Sequence, residues 1–551
     1  MSTATATATI RRLPTLLSAK AIALGAAGVL FVAICVLPLI YMLVVSFSGI
    51  DGSFTFANYG RLLTEPRQRE LLMNSALLGA ATALVATIVG APLGLLLARA
   101  DLPAKSWLRL ALIIPLVLPP YILGLAWIYV SGSTGIAANL LGRDLLSDST
   151  YSLAGAVGVL SMGFFPLAML ATEAAMRRVD GRLEEAGLLA ARPRRVFTRI
   201  TLPLIAPSVA AAALVIFVLA LSEFGVPGLL RVRVFTTEVF TAFAAQYDFG
   251  RATALSTPLL FLALIPAVAL NLTIGDRLLT TRRSMYPGLS FNLGRWRAPA
   301  LVLIGIVLAL SALLPLGALA LEARGAGPIV GAVQASTSAI TNSIVLSLCG
   351  AVLIVGLGLL IGYSRARART GLGRLADLAF IVLFAAPSTV IGVGLIGLWN
   401  RPGLLGEIYR SPLIIVIAYL ARFVPVAALI LAAAVRQVPT SLEEAAEVAG
   451  ASWPRSFARI VFPQITAAAA VALVVSFIFA FGELGATVLV APPGESTLPV
   501  RVYTLIANAP SSQVASLALM QASVVLIPLI VFGWFARDKK FGGARGKRSV
   551  L

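Results

Sequence analysis

Apolar residues in this chain gather into long runs separated by short polar stretches, and the pattern repeats along the whole length. A helix that crosses the hydrocarbon core of a bilayer needs about 20 such residues. Windows of that kind lie at 21–47, 73–98, 108–131, 152–176, 204–230, 255–280, 299–321, 340–363, 375–399, 411–435, 465–491 and 513–536. Twelve membrane-spanning helices are therefore expected. The first window is too long, and too soon followed by others, for a cleaved leader, so it is expected to stay as a span.

The pattern is duplicated. At an offset of 268, Asn74-Ser75 meets Asn342-Ser343, Pro119 meets Pro387 and Gly124 meets Gly392. At an offset of 260, Ser222–Gly225 (SEFG) meets Gly482–Gly485 (GELG). The difference falls in the loop after the third window, which is longer in the first half. Six spans per copy make both copies face the same way, so the expected symmetry is a parallel pseudo-twofold about the membrane normal and not an inverted repeat. The division is an N-terminal tail at 1–20, a first domain at 21–285, a second at 286–536 and a basic tail at 537–551.

Two charged islands interrupt the apolar pattern, LEEAGLLAARPRRVFTRITLP (Leu183–Pro203) and EEAAEVAGASWPRSFARIVFP (Glu443–Pro463), between the fourth and fifth spans of each copy. At the offset of 260, Glu184 meets Glu444, Ala186 meets Ala446, Ile200 meets Ile460 and Pro203 meets Pro463. Ser441 and Glu444 have the spacing of a capping box. In the first copy Gly181 takes the cap position, with Asp180 the alternative. Leu442, Ala445, Ala446 and Ala449 share one helical face, leaving Glu443 and Glu447 toward water or a basic partner. Two such islands on one membrane face point to a two-fold-symmetric partner.

The second island reads E-A-A-x3-G-x9-I-x-F-P and resembles the signature loop of the membrane subunits of binding-protein-dependent ABC importers. The first island departs from it where Ala190 stands in place of Gly450 and Gly187 in place of Glu447. The resemblance covers nearly the whole chain, one family domain per half, as in the fused permeases of ferric iron importers, with thiamine and phosphonate permeases as relatives. Leu118–Trp127 (LPPYILGLAW) and Glu223–Gly250 look most ferric-like. The resemblance implies an all-α membrane protein with the type I ABC importer permease fold, in a bacterial inner membrane with both termini cytoplasmic. It implies coupling helices around 181–198 and 441–458, carried by Glu184, Glu185, Ala186, Ala190, Ile200 and Pro203, and by Glu444, Ala445, Ala446, Gly450, Ile460 and Pro463. They would dock on a homodimeric ATP-hydrolysing subunit, while an extracytoplasmic binding protein delivers the substrate. This chain would then bind no cofactor, with ATP used by the partner.

Composition and charge narrow the alternatives. With 59% apolar residues, 12% charged residues and a mean hydropathy of +0.96, the chain is not a soluble globular protein. Its net charge of +20 invites a nucleic-acid reading. Yet 31 of the 43 Lys and Arg fall in the tails and loops on the island side or, for Arg109 and Arg277, at the adjoining ends of windows, against 11 opposite and Arg422 deep within a span. That is the positive-inside rule, a topology signal that leaves nucleic acid out and places the basic tail beside anionic lipid. There is no histidine, and Cys35 and Cys349 each lie inside a window, so neither a disulfide framework nor a zinc site is supported. The G-x-x-G-K of the tail is followed by Arg548 and fails as a phosphate loop.

Charges inside spans are candidates for function because burying them in lipid is costly. Glu223 and Glu483 are repeat equivalents, each about 20 residues and so about 30 Å beyond its island proline. Either they flank the outer mouth of a transport path, or they accept hydrogen bonds from backbone freed at Gly225 and Gly485. Arg422, without a counterpart in the first half, is expected to pair with Glu483 or Glu223; lining a cavity is its alternative. The third and ninth windows (IPLVLPPYILG and FAAPSTVIGVG) must bend or unwind. Asn74-Ser75 and Asn342-Ser343, at the start of spans two and eight, read as helix caps. Two other classes fit less well. A 6+6 secondary transporter would show an ion site at the membrane centre, and a membrane-bound glycosyltransferase would carry a large outer loop with paired acids.

Overall fold

Lipid offers no partner for a backbone N–H or C=O, so each apolar run satisfies its own groups as a helix. In the computed structural model, which describes residues 19–48, 53–142, 144, 146–246, 248–280, 288, 290–368, 380 and 382–527, every window carries an apolar helix. Ten are long enough to cross a membrane, among them Pro66–Arg99, Leu153–Met176, Thr337–Arg367 and Leu413–Val435. The ninth and twelfth windows carry the shorter helices Ser388–Trp399 and Ser511–Ile527. Among the described residues the only β features are two isolated bridges. The tail at 537–551 and all but two residues of the tail at 1–20 lie outside the described residues.

The duplication is visible in the packing. The second span (Pro66–Arg99) packs on the fourth (Leu153–Met176), and both pack on the fifth (Leu202–Ser222). The eighth (Thr337–Arg367), tenth (Leu413–Val435) and eleventh (Phe462–Phe481) repeat that triad. The first span of each copy leaves its own triad. Leu37–Val45 packs against Ser388–Trp399, and Leu314–Glu322 packs against Pro120–Ser131, the corresponding helix of the other copy. The copies are thus clasped by reciprocal exchange.

Among the described residues, four π-helical turns recur at related places: Val32–Val36, Phe197–Thr201, Ala309–Leu313 and Phe457–Val461. Pro38, Pro203, Pro315 and Pro463 each follow two residues later. Proline lacks an N–H, and its ring collides with the carbonyl four residues back in an α-helix; one extra residue per turn relieves the collision. The island prolines therefore widen the helix without breaking it. A true break occurs at the third and ninth spans, as expected. Lys105–Val117 ends before Leu118 and Pro119, both extended, and the helix resumes at Pro120; in the ninth, an extended Pro387 precedes Ser388.

Candidate functional site: paired islands and a carboxylate-lined cavity

The islands are shorter as separate helices than the sequence suggests. The free-standing helices are Gly181–Ala190 and Thr440–Val448. The remainder of 181–198 and 441–458, from Pro193 and Trp453 onward, already forms the first turns of the fifth and eleventh spans. The two helices end differently, which explains Ala190. In the second copy the Ala451 N–H bonds Ala446 O at 2.9 Å and the Gly450 N–H bonds Glu447 O at 3.0 Å. That is a Schellman motif, and it needs the positive φ of Gly450, +79°. In the first copy Ala191 leaves the helix extended, with φ −148°, so no glycine is required.

At the other end, Asp180 caps the first helix by accepting from the Arg182 N–H at 3.0 Å. The capping box expected in the second copy does not form: the helix begins at Thr440 after Pro439, with no side-chain cap, so Ser441 already lies within the first turn. Glu184 is buried, accepting from the Thr201 hydroxyl at 2.9 Å and pairing with Arg99 at 3.4 Å. Its sequence equivalent, Glu444, is exposed; the inward carboxylate is Glu443, which pairs with Arg367 and accepts from the Tyr363 hydroxyl at 2.6 Å. The second helix is turned by one residue relative to the first. Of the two surroundings expected for Glu443, water or a basic partner, it has the second, supplied by this chain's own Arg367.

Of the other island residues, Ala446 is buried and Ile200 and Ile460 are half-buried, while Glu185, Ala186, Ala190, Pro203, Ala445, Gly450 and Pro463 are exposed. Of the face formed by Leu442, Ala445, Ala446 and Ala449, only Ala446 is buried, and Leu442 is 42% exposed. Two residues went unnoticed in the sequence, Leu189 at 93% and Val448 at 91% exposure. An apolar side chain on a polar island, off the face that packs, is the signal that could have found them.

The second site is a cavity of about 130 Å³ between the copies, lined by Glu223, Glu483 and Arg422 together with Pro119, Ser388 and Phe423. It joins the three charges to both broken spans. Arg422 pairs with Glu483 at 3.3 Å, one of the two pairings expected. Glu483 also accepts from the Ala486 and Thr487 N–H groups, each at 2.9 Å, and from the Thr487 hydroxyl. Glu223 takes the Gly225 and Val226 N–H groups on one oxygen, at 3.0 and 3.4 Å. The carboxylates thus cap freed backbone, as one of the two expected roles had it, and they also line the cavity. Glycine is needed where these turns meet the broken helices. A Cβ on Gly225 would lie 2.6 Å from Tyr121 Cβ, and one on Gly485 would lie 2.1 Å from Ser388 Oγ. Among the described residues no group of three or more His, Cys, Asp or Glu could hold a metal ion.

The Asn-Ser pairs are caps of an unexpected kind. They sit inside long helices and serve other segments: Ser75 Oγ accepts from the Phe235 N–H at 3.0 Å, and Ser343 Oγ from the Leu498 N–H. Those amides begin the helices Phe235–Ala244 and Leu498–Leu505.

Residues 90–327 and 354–540 both match the family model described as "Binding-protein-dependent transport system inner membrane component". The Fe(3+)-transport system permease protein FbpB 2 of Haemophilus influenzae is 25% identical over 86% of this chain and 92% of its own length. The ferric transport system permease protein FbpB of Actinobacillus pleuropneumoniae is 25% identical over 89% and 74%. A molybdenum transport system permease protein, ModB of Mycobacterium tuberculosis, is 31% identical over 36% of this chain and 71% of its own length. Two copies of one family domain, matched over most of the chain and folded into interlocked halves, make this protein a fused member of the binding-protein-dependent transport system inner membrane component family.

Proposed function

We propose that this permease subunit forms the membrane path of an ATP-driven importer of ferric iron, with Gly181–Ala190 and Thr440–Val448 as its coupling helices. The observation that carries the reading is a pair of repeat-related helices on one face, each projecting an almost fully exposed apolar side chain, Leu189 and Val448. One exposed apolar side chain is ordinary on a protein surface; the same exposure at matched places on two repeat-related helices is what supports a pair of docking sites. The partner is a homodimer of ATP-hydrolysing subunits, one groove for each helix. The island face is cytoplasmic on the distribution of Lys and Arg, which puts both termini there and the binding protein opposite. Closure of the ATPase dimer draws the helices together and opens the cavity toward the binding protein. No covalent chemistry falls to this chain, and ATP is bound by the partner alone.

Iron is favoured over an oxyanion on two grounds. Three relatives that match along both halves are all ferric transport permeases, while the molybdenum permease is too short a chain to match more than one half. The cavity holds two carboxylates and one guanidinium, a balance that attracts a cation and repels molybdate. The test is uptake of labelled ferric iron in cells lacking the gene, complemented with the wild type or with Leu189→Asp/Val448→Asp. These side chains touch little within the subunit, so the variant should insert normally, fail to retain the ATPase on purification, and lose uptake. Retention of the ATPase at wild-type level would refute the docking assignment. Unchanged iron uptake on deletion of the gene would refute the substrate.

A further inference from the structure

The second and eighth spans are each gripped at both ends by bonds that recur in the two copies. At the island end stand Arg99 and Arg367, the last residues of Pro66–Arg99 and Thr337–Arg367 and equivalent at the offset of 268. Arg99 is 5% exposed, donates to Met176 O at 3.0 Å and pairs with Glu184. Arg367 donates to Val438 O at 3.0 Å and pairs with Glu443. Each guanidinium therefore holds both the carbonyl that precedes an island helix and a carboxylate on that helix. The carboxylates are not sequence equivalents, so the contact has been kept while its residue changed.

At the far end stand the Asn-Ser pairs. Asn74 Nδ2 donates to Arg233 O at 3.0 Å beside the Ser75–Phe235 bond, and Asn342 Nδ2 donates to Glu495 at 2.8 Å beside the Ser343–Leu498 bond. The segments so held follow directly from the cavity carboxylates. In the first copy the Thr236 hydroxyl bonds Glu223 O at 3.1 Å, bringing the held helix back onto the cavity.

We propose that these two spans are struts that carry the displacement of each coupling helix to the carboxylate end of the cavity, with Arg99, Arg367, Ser75 and Ser343 as positioning residues. The inference rests on the coupling-helix reading above. Between its two grips at Ser75 and Arg99 the second span stays helical through Pro92 for 24 residues, about 36 Å, long enough to join the island to the far end of the cavity. In both copies a single guanidinium nitrogen, Nη2, meets the carbonyl and the carboxylate. Lysine would keep the charge, but on a flexible stem and as a more strongly hydrated ammonium, so it holds the two partners less rigidly.

The test uses the complete importer, with its ATPase subunits, in lipid nanodiscs and with Cys35 and Cys349 replaced by alanine. Spin labels are placed at Glu185 and Ala244, on the first coupling helix and on the helix held by Ser75, and in a second sample at Glu185 and Glu444. Addition of ATP and vanadate should change the Glu185–Glu444 distance while leaving the Glu185–Ala244 distance fixed. In Arg99→Gln, and separately in Ser75→Ala, the Glu185–Ala244 distribution should broaden with nucleotide, and iron carried per ATP hydrolysed should fall by roughly 5-fold or more, the lower range of a typical coupling energy. Arg99→Lys should recover only part of the loss. A merely structural role would reduce the yield of complex without moving that ratio. Should Arg99→Gln fail to assemble, Ser75→Ala, which leaves the island untouched, decides the matter. Equal changes at both pairs of labels in the unaltered struts, or an unchanged ratio in assembled Ser75→Ala, would overturn the strut. A Glu185–Glu444 distance that ignores nucleotide would instead overturn the coupling-helix reading.

Discussion

The two cavity carboxylates offer a comparison in which one substitution should act on stability and the other on transport. Glu483 is 5% exposed, and its oxygens take two backbone N–H groups, a hydroxyl and the Arg422 guanidinium. In Glu483→Gln one oxygen becomes an NH2 that faces donors. An unsatisfied buried N–H costs about 1–3 kcal/mol, and removing one partner of a buried ion pair costs about 3–5 kcal/mol. Arg422 is 19% exposed on its side chain and recovers some hydration, so about 3 kcal/mol is expected in total. Glu223 is different. Both of its bonds fall on one oxygen, which the amide oxygen of glutamine reproduces, so Glu223→Gln should cost no more than about 1 kcal/mol. With Arg422 and Glu483 neutralising each other, however, Glu223 supplies the net charge of the cavity. Its loss should lower iron uptake severalfold at unchanged yield. The assay pairs the fraction of complex surviving a heat step, read by size exclusion, with labelled iron uptake normalised to subunit in the membrane. Equal thermal loss in both variants would refute the assignment of hydrogen bonds, and wild-type uptake by Glu223→Gln would remove that carboxylate from the path.

Two further predictions follow from the same geometry. Glu173, 4% exposed in the fourth span, is held by Arg109 through two nitrogens and by Arg177 at 2.7 Å. Arg109→Ala leaves Arg177 in place and should cost about 1–2 kcal/mol, while Arg109→Ala/Arg177→Ala strands a buried carboxylate and should cost about 3–5 kcal/mol; additive heat-step losses would contradict this. Cys349 is exposed on the apolar surface and Cys35 is buried, so a membrane-permeant maleimide should modify the first and spare the second by mass spectrometry of the intact chain. Rapid labelling of Cys35 would mean that the first span does not clasp the other copy as described.

Much of the architecture could be read directly, because lipid imposes strict rules on a sequence. Each apolar run became a helix, since no other conformation satisfies a backbone away from water. The offsets of 268 and 260 identified pairs that do occupy related positions: Asn74-Ser75 with Asn342-Ser343, and Glu223 with Glu483. The broken spans could be read from Pro119 and Pro387, because proline in a helix interior has few outcomes. What was misread concerned phase and partner. Ser441 was expected as a cap and lies one residue too deep; Glu444 was matched to Glu184, yet Glu443 is the one that turns inward. A helix rotates about 100° per residue, so a start displaced by one residue re-aims every side chain, and only packing against Arg367 and Tyr363 sets that start.

By itself, then, the sequence determined the spans, their parallel duplication, the islands and the residues too polar for lipid, because each follows from local composition against the bilayer. Tertiary structure decided the rest. It chose Glu483 over Glu223 for Arg422, sent the first span of each copy to the other, and turned Ser75 and Ser343 from presumed caps of their own helices into acceptors for distant ones. These are contacts between segments as many as 400 residues apart, as for the Tyr121 hydroxyl and Gln521. Sequence spacing carries no distance across such a gap, and the close packing of helices alone supplies it.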